Sequence, residues 1–348
     1  MAKNEAIIVG WIRKNKLANC GETMKNQLLI KKLEELGVKC RQMDFKGWKR
    51  RPWIIFQLIW NICMHRDDTL IFSTSAANVY PLMKLMKRVN WKQNTIHWVI
   101  GGSLGQKCKH GIYSPEIIGY MKHTIVESNL MVDELNQCGV QNVKMLPNFK
   151  PIDYYPSVSD KGKGEPVRFV FLSRIMPEKG CDYILEAARL LNEEGLQDQF
   201  IIDFYGAESS SYKRVFEDKV SELPNVHYEG FLNLREPAGY DMLASYDMML
   251  FPTYWKGEGF AGIFIDAFIS GVPLIASDWM HNRQFLTEGK TALFIPVHNV
   301  IALCDKMREC ILGQYDFQQM AMNCQKEAEK YNVNNVITTK LLQEIEIL

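Results

Sequence analysis

The 348-residue sequence contains no apolar run of the roughly 20 residues that cross a bilayer, so no membrane-spanning helix is expected. Its opening residues lead directly into an apolar strand pattern, without the apolar stretch and small-residue cleavage site of a signal peptide. Nine cysteines, an odd number with no Cys-x-x-Cys, give neither a disulfide framework nor a zinc-ribbon spacing, and a reducing cytoplasm is the simplest home. Asp-x-Asp is absent, and none of the seven histidines pairs with another at helical ligand spacing, so no metal site is expected. There are no repeats, no low-complexity segments and no helix-turn-helix, zinc-finger or RNA-recognition signature, so nucleic acid is not an expected partner.

What is present begins with size and charge. A chain of this length is long for one core, and two domains are expected. The net charge of +1 conceals a division: residues 1–150 hold 23 Lys and Arg against 11 Asp and Glu, a balance of +12, and the remainder holds 18 against 29, a balance of −11. The basic half is expected to attract anions such as a phosphorylated acceptor or an anionic membrane surface.

Apolar runs alternate with helical patterns throughout, which predicts an α/β architecture of parallel, doubly wound sheets. In the first half, strands are expected at 7–11, 70–72, 95–100, 123–126 and 142–146, with a helix from about Thr23 to Leu36. In the second half they are expected at 167–172, 200–205, 226–228, 248–251 and 272–276. Helical patterns follow over 301–312, 317–331 and from Asn335 onward. The Ser-, Lys-, Asp- and Gly-rich stretch from Ser157 to Pro166 reads as a linker or exposed loop. The division is therefore 1–150, 151–330 and a terminal segment 331–348.

Two segments carry chemistry. Ser173-Arg174-Ile175-Met176-Pro177-Glu178-Lys179-Gly180 lies between the strand 167–172 and a helix whose apolar residues are Ile184, Ala187, Ala188 and Leu191. Open parallel sheets bind ligands on such strand-to-helix loops. Two cations there suit a diphosphate. The second segment, Glu258-Gly259-Phe260-Ala261-Gly262-Ile263-Phe264-Ile265-Asp266, opens a helix apolar nearly all round, which implies burial, yet contains Asp266. A buried carboxylate needs hydrogen-bond donors, and ligand hydroxyls could supply them. The first-turn N–H groups that follow Glu258 suit an anion.

Together these motifs resemble the retaining glycosyltransferases of family 4 (group 1), with their two-domain GT-B fold. Arg174 and Lys179-Gly180 are followed about eighty residues later by Glu258, Gly259-Phe260 and a second acid, Asp266. The resemblance extends over most of residues 120–310, through Val126-Glu127-Ser128, Pro147-Asn148-Phe149 and Gly271-Val272-Pro273. It implies two Rossmann-like domains facing a cleft, with the acceptor on the N-terminal domain, the nucleotide sugar on the C-terminal one, and the last helix returning to the first. It also implies catalytic roles for Arg174, Lys179 and Glu258. Arg174 and Lys179 would hold the diphosphate, helped by the N–H groups near Gly262 and Ile263. Glu258, with the backbone of Gly259, Phe260 and Ala261, would hold the sugar, and Asp266 the ribose. Gly21 would line the phosphate cleft. The implied reaction is retaining, metal-independent transfer from a nucleotide sugar, a substrate and not a cofactor, to a sugar or lipid-linked acceptor in envelope or surface-polysaccharide synthesis.

The chain departs from the family pattern in four places. Asp266 stands where the pattern has a second Glu, and Gly21 is alone where paired glycines are usual. Ile100-Gly101-Gly102-Ser103 replaces a His-Gly, leaving a close approach of backbone to sugar at those glycines. After Asp278 the sequence Trp279-Met280-His281-Asn282-Arg283-Gln284 replaces a Gly-rich segment ending in Glu. Rival readings are a nucleotide-sugar epimerase or phosphorylase on the same fold, or a non-catalytic subunit of an active partner. Two stretches, Lys46 to Trp60 and Pro81 to Lys92, set Lys and Arg beside Trp and Leu as interfacial helices do, and suggest peripheral contact with the cytoplasmic membrane face.

Overall fold

A computed structural model describes residues 5–14, 16, 20–158 and 166–348. The expected linker falls largely outside them. The chain forms two compact units. The first comprises Met1–Pro151, Gly257–Phe260 and Tyr331–Leu348, and the second Ile152–Lys256 and Ala261–Lys330. Residues 257–260 thus belong to the first unit, although the sequence suggested a C-terminal domain running unbroken from 151 to 330.

The first unit holds six parallel strands, β1 (Glu5–Gly10), β2 (Lys39–Asp44), β3 (Thr69–Thr74), β4 (Thr95–Val99), β5 (His123–Val126) and β6 (Val143–Met145), in the order β2-β1-β3-β4-β5-β6. The strands β1, β3 and β4 are buried along their whole length or nearly so, as expected of strands covered on both faces. β2 escapes sequence detection because Lys-Cys-Arg-Gln-Met-Asp has no apolar run; it is an edge strand, paired with β1 alone. One face of the sheet is covered by the helices Trp53–Met64 and Ala76–Arg88, which contribute Leu58, Ile62, Val79 and Met83 to the core. The other is covered by the helix Gly21–Glu35 and by residues 333–347, which pack Val336, Ile337, Leu342 and Ile345 against Ile8, Ile71 and Ile96. Residues 331–348 do not form the single helix expected. They form two short ones, Val333–Val336 and Thr339–Glu344, separated by the extended Ile337 and capped by the Asn332 and Thr338 side chains.

The second unit repeats the plan with β7 (Val167–Leu172), β8 (Phe200–Tyr205), β9 (Val226–Gly230), β10 (Met248–Phe251), β11 (Leu274–Ser277) and β12 (Ala292–Ile295), in the order β12-β11-β10-β7-β8-β9. The strand order reverses between β7 and β10. In open parallel sheets the crevice beyond the carboxyl ends of such a pair is the ligand site. The loops after β7 and β10 carry Arg174 and Glu258 respectively.

Candidate active site

In the second unit, β7 delivers the chain into the Arg174 loop, and a single 3₁₀ turn over Pro177–Lys179 leads into the helix Cys181–Glu193. Gly180 joins the two with φ +84°, and a Cβ there would lie 2.4 Å from the Pro252 carbonyl oxygen. Glycine therefore lets the turn seat directly on the segment after β10. Two hydrogen bonds to the Glu178 carbonyl strengthen the seat, from the Tyr254 N–H at 2.9 Å and the Thr253 hydroxyl at 3.3 Å. Lys179 is buried with its ammonium 5.8 Å from the centre of the Phe251 ring. Arg174 is exposed, its guanidinium 5.6 Å from the centre of the Trp255 ring. The two cations stand at the carboxyl edge of β7, backed by aromatic faces that attract cations.

Trp255 was not legible as a site residue. The signal for it was available, since Thr253-Tyr254-Trp255 directly follows a strand at the order reversal. The segment that departs from the family pattern also meets it: the Trp279 indole N–H donates to the Trp255 carbonyl at 3.0 Å, and Arg283 is held by Asp278 at 2.8 Å.

The helix Gly262–Ile269 is buried over Phe264–Ile269, Asp266 included. Sequence reasoning looked to ligand hydroxyls for the partners of Asp266. The protein supplies one itself: the Tyr240 hydroxyl donates to Asp266 Oδ1 at 3.1 Å. Burial, then the neighbouring Asp266 carboxylate, drives the Tyr240 pKa upward, so it remains a donor. Ala261 is the N-cap, and the N–H groups of Gly262 and Ile263 lie in the first turn, where a helix has no backbone partners of its own.

Glu258, Gly259 and Phe260 belong to the first unit. Glu258 is buried. The Phe260 N–H donates to Glu127 Oε2 at 3.2 Å, and the Asn148 side-chain amide donates to the Phe260 carbonyl at 3.3 Å. The glycines expected to approach a sugar lie beside this segment: a Cβ on Gly259 would lie 3.2 Å from the Gly102 nitrogen, and one on Gly101, at φ +100°, would lie 3.9 Å from the Gly257 carbonyl oxygen. Gly21 opens the helix Gly21–Glu35 at an exposed position, and nothing lies within 4 Å of a Cβ built on it. The protein itself does not require glycine there.

Asp203, His227 and Glu229 form a group across two strands that helical ligand spacing does not reveal. Asp203 on β8 faces His227 on β9, and the three could offer ligand atoms within 4.8 Å of one another. Asp203 is already engaged by the Tyr246 hydroxyl at 2.6 Å and by Arg168 at 3.6 Å.

Residues 166–312 match the family glycosyl transferases group 1. The chain has the GT-B fold of two Rossmann-like domains. The match in fold extends over nearly the whole chain: the Anabaena protein Alr3699/HepE, solved with UDP, superposes with a TM-score of 0.72 at 13% identity, covering 99% of this chain and 100% of that one. Among proteins of described function, the poly(ribitol-phosphate) alpha-N-acetylglucosaminyltransferase of Staphylococcus aureus strain COL is 24% identical over 210 residues, covering 59% of this chain and 40% of that protein. The GtfA subunit of the UDP-N-acetylglucosamine–peptide N-acetylglucosaminyltransferase of Streptococcus gordonii is 26% identical over 192 residues, covering 52% and 36%. The chain spans about two fifths or less of the curated relatives it matches.

Proposed function

We propose that this protein transfers a sugar from a UDP-linked donor to a sugar or lipid-linked acceptor in envelope or surface-polymer synthesis, with retention and without a metal ion. The observation that carries the reading is the pair of cations, Arg174 and Lys179, at the carboxyl edge of β7 where the strand order reverses. When the bond between the anomeric carbon and the diphosphate breaks, negative charge grows on the departing oxygen. Fixed donors that meet it stabilise the transition state more than the ground state. Arg174 and Lys179 supply the positive charge that meets it, and the Gly262 and Ile263 N–H groups add hydrogen bonds. Glu258 accepts hydrogen bonds from the donor sugar, and the buried Asp266 carboxylate, oriented by Tyr240, binds the ribose. UDP is the favoured carrier because the Anabaena structure holds it and the Streptococcus relative is named for a UDP sugar.

In this reading the Trp53–Met64 helix rests on an anionic membrane. Trp53, Phe56, Trp60 and Met64 are exposed, Phe56 by 73% and Trp60 by 67%, beside the exposed Arg50 and Arg51. An apolar helix face with a basic fringe fits the interface. Among the described residues no helix is long and apolar enough to cross a membrane.

The deciding experiment incubates the protein with UDP-N-acetylglucosamine and candidate acceptors and follows anomeric signals by NMR. The expected product keeps the anomeric configuration of the donor, and its formation continues in excess EDTA. An inverted product refutes retention. Loss of activity with EDTA, restored by magnesium or manganese, refutes metal independence. Conversion of the donor without an acceptor into an epimeric nucleotide sugar supports the epimerase instead.

A further inference from the structure

The carboxyl edge of the first sheet carries a buried ion pair that the proposed reaction does not use. Lys25 lies in the first turns of the helix Gly21–Glu35, and Glu127 immediately follows β5. Their side chains are 4% and 6% exposed and are joined through Glu127 Oε1. Such a pair is a poor device for stability, because desolvating two charges cancels much of their attraction and apolar replacements are often as stable. The other oxygen, Oε2, accepts the N–H of Phe260. A Cβ on Gly259 would sit 2.5 Å from that same oxygen, so the backbone of the Glu258 segment lies flush against the carboxylate.

We infer that Lys25 and Glu127 are positioning residues: Lys25 orients the Glu127 carboxylate, and Glu127 fixes the Glu258-Gly259-Phe260 backbone so that Glu258 meets the sugar in one geometry. This rests on the sugar-holding role proposed for Glu258. The pair touches no reacting atom. A misplacement of about 1 Å in a reacting geometry costs on the order of 100-fold in rate, which sets the size of the effect.

The test compares two double variants. Lys25→Met with Glu127→Leu replaces the pair by apolar groups and leaves the Phe260 N–H without its acceptor. Lys25→Met with Glu127→Gln keeps a neutral oxygen for that N–H. With UDP-N-acetylglucosamine as probe and UDP release as readout, the Leu form is expected to lose about 10- to 100-fold in kcat, with UDP affinity within twofold of wild type. The Gln form should recover most of the loss. Wild-type turnover in a folded Leu form, or equal losses in both forms, overturns the inference. If the Leu form does not fold, Gly259→Ala drives a methyl group at the same oxygen and is expected to show the same kcat loss with UDP binding kept; an unchanged rate overturns it. Glu258→Gln separates the two claims. Full turnover there removes the sugar-holding role itself, whereas lost turnover there with an active Leu form removes only the positioning role.

Discussion

The Tyr240 hydroxyl and Asp266 Oδ1 are 3.1 Å apart, so one oxygen of the buried acid is taken by the protein before any ligand arrives. Each partner should therefore have a different effect. Tyr240→Phe removes a donor from a buried carboxylate oxygen and is expected to cost about 1–3 kcal/mol of stability, with UDP affinity little changed. Asp266→Ala is expected to weaken UDP itself, because the ribose contact proposed for it would go with the carboxylate. Denaturant melts and calorimetric titration of UDP on both variants check this, and equal UDP affinity in Asp266→Ala and wild type rules out the ribose role.

Arg174→Ala is expected to lower transfer by roughly 100- to 1,000-fold, the scale for losing one preorganised donor to a developing charge. UDP binding should fall less than turnover. Arg174→Lys should not restore the rate, since an ammonium lacks the planar fork that can hold two phosphate oxygens at once. Single-turnover rates alongside UDP titrations provide the measurement, and full activity in a folded Arg174→Ala protein would exclude the assignment.

The Arg174 and Lys179 loop was legible in the sequence because both its flanks are: a buried strand on one side and an amphipathic helix on the other leave only the loop between. The strand β2 was not, since an edge strand with one neighbour needs no apolar run. Nor was the attachment of the Glu258 segment to the first unit. It depends on Glu127, whose partner Phe260 is 133 residues away, and no periodicity records a contact of that range. Tyr240 was missed for the same reason, at a separation of 26 residues from Asp266.

His97, wholly buried in β4, has its pKa pushed down to about 4 by desolvation, with Nε2 hydrogen-bonded to the Thr74 carbonyl and Nδ1 without a partner. The unfolded chain takes up this proton near pH 6.5 and the folded chain only near 4, so stability falls as pH drops through that window. The expected loss is about 2 kcal/mol by pH 5 and about 3 kcal/mol by pH 4. Urea unfolding at pH 7.5, 5 and 4 should show a shallower dependence in His97→Gln than in wild type. Identical slopes would mean that His97 is protonated in the folded protein.

Membrane contact through the Trp53–Met64 helix predicts co-sedimentation with phosphatidylglycerol vesicles but not with phosphatidylcholine ones. Binding should weaken as salt rises, because the attraction is screened over about 8–10 Å at physiological ionic strength. Trp53→Ser with Trp60→Ser should abolish it without unfolding, since both side chains are exposed. Equal binding to the two lipids would exclude the electrostatic component.

Residues 331–348 seal one face of the first sheet, with Ile337, Leu342 and Ile345 fully buried against strands that begin at Glu5. On the ribosome, the first unit therefore cannot close its core until the second has been entirely synthesised, so the second is expected to mature first. A fragment ending at Pro151 would expose that unsealed sheet face and invite aggregation. The first unit should thus be produced alone only if residues 331–348 are supplied to it, fused or as a separate peptide.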